Sequence, residues 1–228
     1  MRSLFGAVLL AVFAASPLAA QGEQQGQFEV STFLSWQRFD EAAALENGPA
    51  AGLEVMYFAR PAVAVGGYLS VGRPKTRGEY FPLVGLKFED STFFYLPDQT
   101  VTQIGVGIAG LLRFASLEPF APYVTAGAGR TRFFMDPEQN RGIRSESVAT
   151  WMLGGGVQYS SGGGVGLRLD VRDEIFTGFD REIFSVVDPL YIDRTMPHPN
   201  PSIPEAKSTV HNIRVSLAFS FVPRRQRR

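Results

Sequence analysis

The sequence predicts an all-β chain, an eight-stranded antiparallel up-and-down β-barrel that crosses a membrane, with ten strands as the alternative count. Three observations predict it. The last strand, Thr209 to Val222, alternates strictly: Ile213, Val215, Leu217, Phe219 and Phe221 share one face, and Asn212, Arg214, Ser216, Ala218 and Ser220 share the other, as the two-residue period of a strand requires. The connections between such strands alternate long and short from one end of the chain to the other, the parity of an up-and-down membrane barrel. Beyond the N-terminus no apolar run approaches the roughly 20 residues of a membrane-spanning helix. The longest, Ile104 to Leu112, is half that and is broken by glycines.

Each strand reads from the same alternation. The first runs roughly from Gln27 to Gln37, with Phe28, Val30, Thr32, Leu34 and Trp36 on one face. Arg38 to Gly48 is polar and loop-like. The second, Ala50 to Ala59, sets Leu53, Val55 and Tyr57 against Glu54, Met56 and Phe58, and ends at Arg60-Pro61, where proline has no N–H for a ladder. The third, Ala62 to Gly72, sets Val63, Val65, Leu69 and Val71 against Ala64, Gly66, Tyr68 and Ser70. Arg73 to Asp98 is a long connection too aromatic for simple disorder (Phe81, Phe88, Phe93, Phe94, Tyr95). It reads as a large loop that can hold a hairpin beyond the membrane, or as two further spanning strands.

The fourth strand covers Thr100 to Phe114 and the fifth Phe120 to Phe133, with a short connection between them. Met135 to Glu146 is a polar loop. The sixth, Ser147 to Tyr159, turns at the glycine-rich 160–163 into the seventh, Gly164 to Ile175, a hairpin where glycine supplies positive φ at little cost. There Val165, Leu167, Leu169 and Val171 oppose Arg168, Asp170, Arg172 and Glu174. Residues 176–208 are proline-rich with little periodicity and precede the eighth strand.

Two orientations fit these rows. With the apolar rows inward the chain is a soluble, lipocalin-like periplasmic ligand carrier. With them outward it is a membrane barrel with a polar lumen. The polar rows are rich in glycine and alanine (Gly105, Gly107, Gly127, Gly129, Gly154, Gly156), which suits a narrow lumen better than a solvated surface. The aromatics also sort by depth: Phe28, Tyr57, Phe114, Tyr159 and Phe221 fall near the short turns, Trp36 and Trp151 near the long loops. Two aromatic girdles around an aliphatic belt favour the membrane orientation.

Composition narrows the remainder. The 228 residues carry 22 basic and 22 acidic side chains, so no global nucleic-acid-binding charge is present. Cysteine is absent, which removes disulfides, thiolate zinc sites and a lipidated N-terminal cysteine. Arg2, the apolar Leu4 to Ala15 and the small residues to Ala20 form a secretory signal with cleavage expected after Ala20. The expected organisation is a signal peptide at 1–20, the barrel at 21–222 and a basic periplasmic tail at 223–228.

Pro122-Tyr-Val-Thr-Ala-Gly-Ala-Gly129, Gly154-Gly-Gly-Val-Gln-Tyr159, Gly166-Leu-Arg-Leu-Asp-Val-Arg172 and Asn212 to Phe221 resemble segments of the small OmpA-like/OmpX-like outer-membrane β-barrel family. The resemblance covers nearly the whole mature chain. It implies an eight-stranded monomer in the cell outer membrane, contacting outer-membrane lipid, delivered by periplasmic chaperones and inserted by the barrel assembly machinery. Phe221 resembles the terminal aromatic of the family's insertion signal, but seven further residues follow it here.

The inward charges are the sharpest candidate site: Glu29, Glu54, Arg113, Arg168, Asp170, Arg172, Glu174 and Arg214. A buried charge without a partner is costly, so these should pair across the lumen, with Arg168 or Arg172, Arg214 and Glu29 close enough to meet. They read as a polar plug, or as the lining of a narrow gated conduit. Hydrolysis needs a histidine beside a serine. His198 stands in Pro-His-Pro, and His211 at the outer end of the last strand on the face of Ile213; neither lies in a His-x-Ser pattern. Gly162 to Gly166 lacks the Lys-Ser/Thr of a phosphate loop. Asp136, Glu138 and Asn140 do not form a calcium loop. The expectation is no enzymatic activity and no cofactor, with a structural or interaction role exerted through the long loops. A narrow transport channel and a lipid-modifying enzyme are the alternatives.

Overall fold

The computed structural model describes residues 26–81, 83–88, 91–95, 99–114, 119–135, 145–160, 164–185, 192–196 and 203–222. The expected signal peptide, the basic tail after Val222, His198 and the Asp136/Glu138/Asn140 group lie outside the described residues.

Alternating sequence builds the strands at nearly the expected positions: β1 Phe28–Arg38, β2 Gly48–Arg60, β3 Val63–Gly72, β4 Leu83–Phe88, β5 Ser91–Tyr95, β6 Val101–Arg113, β7 Phe120–Met135, β8 Glu146–Ser160, β9 Val165–Thr177, β10 Ile192–Met196 and β11 Thr209–Phe221. Eight of them close a barrel in the order β1-β11-β9-β8-β7-β6-β3-β2, every pair antiparallel. Each strand lies beside its sequence neighbour among these eight, and β1 pairs with β11 to remove the last free edge. The ten-strand alternative is not realised. β4 and β5 form a hairpin outside the barrel and pair instead with β10, giving a separate three-stranded sheet in the order β10-β4-β5. The proline-rich connection, read from sequence as aperiodic, therefore contributes a strand. At five residues β10 is too short to show a period.

Residue faces follow the membrane orientation. Leu34, Ile108, Leu153, Leu169 and Phe219 are each more than half exposed on the outside, while Glu29, Glu54, Arg168, Asp170, Arg172 and Arg214 are buried inside. The inside-out distribution contradicts the soluble-carrier alternative, which needs the apolar rows to form the core. Glycine makes the narrow lumen possible. Gly107 and Gly129 are paired in register. A Cβ on either would come within 2.7 Å of the Tyr68 ring, at Cε1 and Oη respectively, so their bare backbone is the floor on which Tyr68 lies.

The conventional hydrophobic core sits above the barrel, at the end with the long connections. Phe39, Ala42, Ala43, Ala44 and Leu45 from the β1–β2 connection pack with Phe81, Val101, Phe133, Met135, Val148, Phe176, Phe179, Phe184 and Val210. Four phenylalanines form its centre, with Phe133 meeting Phe176, Phe179 and Phe184 edge-on at 5.6, 5.7 and 5.8 Å. Residues 38–48, expected to be polar and loop-like, instead supply a buried 3-10 turn at Glu41–Ala43. The Asp40 carboxylate caps it by accepting from the Ala42 N–H at 2.9 Å.

Candidate functional site

The inward rows of β1, β2, β6, β9 and β11 bring four carboxylates and four guanidiniums into one lumen, and all eight are the residues singled out by the alternation. At the short-turn end, Arg113 Nη2 meets Glu29 Oε2 at 2.7 Å and donates to Gln158 Oε1 at 2.5 Å. In the middle, Arg168 and Arg172 both hold Glu54: Arg168 Nη2 bonds Oε2, and Arg172 Nη1 bonds Oε1 at 3.0 Å. Arg172 Nε also reaches Asp170 at 2.8 Å, whose Oδ2 accepts the Tyr123 hydroxyl at 2.9 Å. Nearest the long loops, Arg214 Nη1 meets Glu174 at 2.6 Å, and Glu174 accepts Gln37 Nε2 at 3.0 Å.

The pairs of Glu29 and Glu54 are chords. Glu54 stands on β2 and its arginines on β9, three strands apart around the wall. Four charges of each sign cancel. Three guanidiniums also lie on aromatic faces: Arg113 over Phe58 at 4.2 Å, Arg214 over Phe33 at 5.0 Å and Arg168 over Tyr123 at 5.7 Å. Arg168 approaches Glu29 at 3.6 Å. That contact meets the expectation for Arg168 or Arg172, while Arg214, also expected beside Glu29, pairs with Glu174 instead. Arg214 pairs in register with Gln37, at the far end of β1 from Glu29, so depth separates what adjacency brings together.

Tyr68, Tyr123, Met152 and Gln158 complete the filling. In the sequence Tyr68 falls on the polar row of the third strand, and Tyr123 and Gln158 hold the same parity on the fifth and sixth, but none of them carries a charge. Their size and inward parity were the available signal.

The aromatic positions fall as two bands. Phe28 stacks beside Tyr57 at 5.1 Å, and Tyr159 beside Phe120 at 5.5 Å. Phe221 is exposed at the end of β11, and Phe114 is partly exposed just after β6. Phe120, exposed in the same band, joins the girdle beyond the positions expected from the sequence. At the other end Trp36 and Trp151 are both more than half exposed. Phe28 to Trp36 spans about 27 Å along β1, or roughly 20 Å of depth at a ~40° strand tilt, near the height of a barrel's apolar band.

His211 is exposed on the outer face of β11, and its Nδ1 lies 2.8 Å from Asp173 Oδ2 on β9. With Arg38, Asp40, Asn47 and Arg77 it lines a shallow cleft at the outer rim. No serine lines it. Among the described residues no group of acidic or histidine side chains is arranged to hold a metal ion.

A family model described as "Outer membrane protein beta-barrel domain" matches residues 5–221. Among solved structures, the crystal structure of Neisserial surface protein A is similar at a TM-score of 0.51 and 12% identity, over 85% of this chain and 96% of that one. The outer membrane protein OprG from Pseudomonas aeruginosa is similar at a TM-score of 0.47 and 11% identity, over 91% and 100%. No curated protein sequence matches.

Proposed function

The chain belongs to the outer membrane protein β-barrel domain family, and from that premise we propose that it is a monomeric, non-conducting, non-catalytic barrel whose working surface is its extracellular cap. It is exported by a signal peptide cleaved after Ala20, and chaperones and the barrel assembly machinery bring it to the outer membrane. The observation that carries this reading is the two-tier closure of the lumen: a neutralised ion-pair network below and a phenylalanine plug above. An eight-stranded barrel has room for side chains and little else, which argues against the channel alternative. His211 has an acidic partner and no serine beside it among the described residues of its cleft, which argues against the lipid-modifying alternative. What remains for partners is the cap, where the β10-β4-β5 sheet joins two long connections.

Two measurements test it. Purified protein in planar bilayers is expected to give no discrete conductance steps, and regular steps would establish the channel instead. For the cap, cells displaying the full chain are compared with cells whose 83–95 segment is replaced by a Gly-Ser linker, on immobilised glycans and on cells of the same strain. Selective loss of retention is expected; equal retention on every surface rejects the loop-contact role.

A further inference from the structure

β7 changes character where it leaves the belt. Its outward row reads Phe120, Pro122, Val124, Ala126 and Ala128, then Arg130 and Arg132. Trp151 pairs with Ala128, so Arg130 stands one outward position beyond the tryptophan band and Arg132 the next. Both are exposed. Their register partners are neutral: Val106 and Ala149 for Arg130, Ile104 and Ser147 for Arg132. Neither arginine makes an ion pair among the described residues.

Arg132 is nevertheless held in place. Its Nε and Nη2 donate to Ser145 Oγ at 3.2 and 2.6 Å, and its guanidinium lies over the Phe134 ring at 4.9 Å. The opposite side of the same rim differs: there Arg38 shares its cleft with Asp40 and Glu41, and His211 is held by Asp173.

We propose that Arg130 and Arg132 form a binding site for the phosphate of an anionic lipid headgroup in the outer leaflet. Two cations about 7 Å apart along a strand, with no ion-pair partner among the described residues, face the layer in which headgroup phosphates lie. Guanidinium forks match phosphate oxygens in pairs. Val106 beside Arg130, and Ala128 and Ile108 one outward position below, are the surface that the same lipid's acyl chains would cover. The site rests on the membrane reading of the barrel, but its test needs neither the cap nor the absence of conductance.

The full chain is reconstituted in phosphatidylcholine nanodiscs containing bisphosphorylated lipid A or its dephosphorylated form. Lipid retained on the barrel after detergent release is counted by native mass spectrometry. Preferential retention of the phosphorylated lipid is expected, weakened about thirty-fold in R130Q/R132Q, the factor two basic side chains carry at a membrane surface. It should be unchanged in Arg38→Gln. Equal retention by the double variant, or of the dephosphorylated lipid, overturns the site. Displacement by inorganic phosphate alone overturns the lipid assignment in favour of the free ion. Unheated gel migration verifies folding. Should the double variant not fold, R130Q and R132Q are measured singly, partial loss in each being expected and unchanged retention in both overturning the proposal.

Discussion

The lower lumen and the plug above it are both buried inside the same protein, yet one is built from charges and the other from phenylalanine. β9 carries both: its inward row runs Arg168, Asp170, Arg172, Glu174 and then Phe176. β11 does the same in reverse, from Val210 through Asn212 and Arg214 to Ser216. The outward rows turn polar toward the same end: β7 passes from Ala128 to Arg130, and β9 carries Asp173 and Thr177 on either side of Ile175. Within the belt lipid solvates the outside, so the polar groups must turn inward and satisfy one another. Above the belt water solvates the outside, and the chain reverts to the burial rule of a soluble domain. The reversal lies toward the long-loop end of the belt.

The sharpest way to break the contrast is Glu54→Ala, which leaves Arg168 and Arg172 facing each other in the lumen. Removing one member of a buried pair typically costs about 3–5 kcal/mol, and two guanidiniums that lose their shared carboxylate set the expectation at the upper end. Urea unfolding in lipid vesicles measures it, and a loss below about 1 kcal/mol would mean that the network does not hold the barrel. Phe133→Ala comes next. It opens a cavity at the centre of the plug for about 3 kcal/mol, and hydrogen exchange should show the loss in β7, β9 and the 39–45 segment while the belt stays protected. Uniform loss of protection would merge the two tiers into one cooperative unit. The smallest effects lie at the wet rim. Lys207→Ala removes a pair 4.0 Å from Asp40 and should shift stability by about 0.5 kcal/mol or less. His211→Ala breaks an exposed pair and should leave lipid composition unchanged in extracted membranes; altered lipid acylation would revive the enzyme alternative.

Most of the barrel was legible because its physics is local. A two-residue period with one face in lipid writes itself into Ile213 to Phe221, and it predicted all eight barrel strands within two residues at either end. The inward charges were legible for the same reason. Their pairing was not, because which arginine reaches which carboxylate depends on strand tilt and depth: Arg214 finds Glu174 across a neighbouring strand rather than Glu29. The plug was illegible for a different reason. Ala42 to Leu45, Phe81 and Phe184 come from connections without a period, and only the closed wall brings them together. The outer sheet shares this property, since nothing in Ile192 to Met196 announces that its partner is β4, about a hundred residues earlier.

That pairing has an immunological consequence. The surface presented by β10-β4-β5 is assembled from two distant stretches of chain, so an antibody raised against the folded cap would recognise a discontinuous epitope. A linear peptide copying 83–95 lacks the strand that β4 pairs with on its other edge. Sera against such a peptide would bind the denatured chain and pass over intact cells, and sequence drift in either connection would be constrained by the shape of the other.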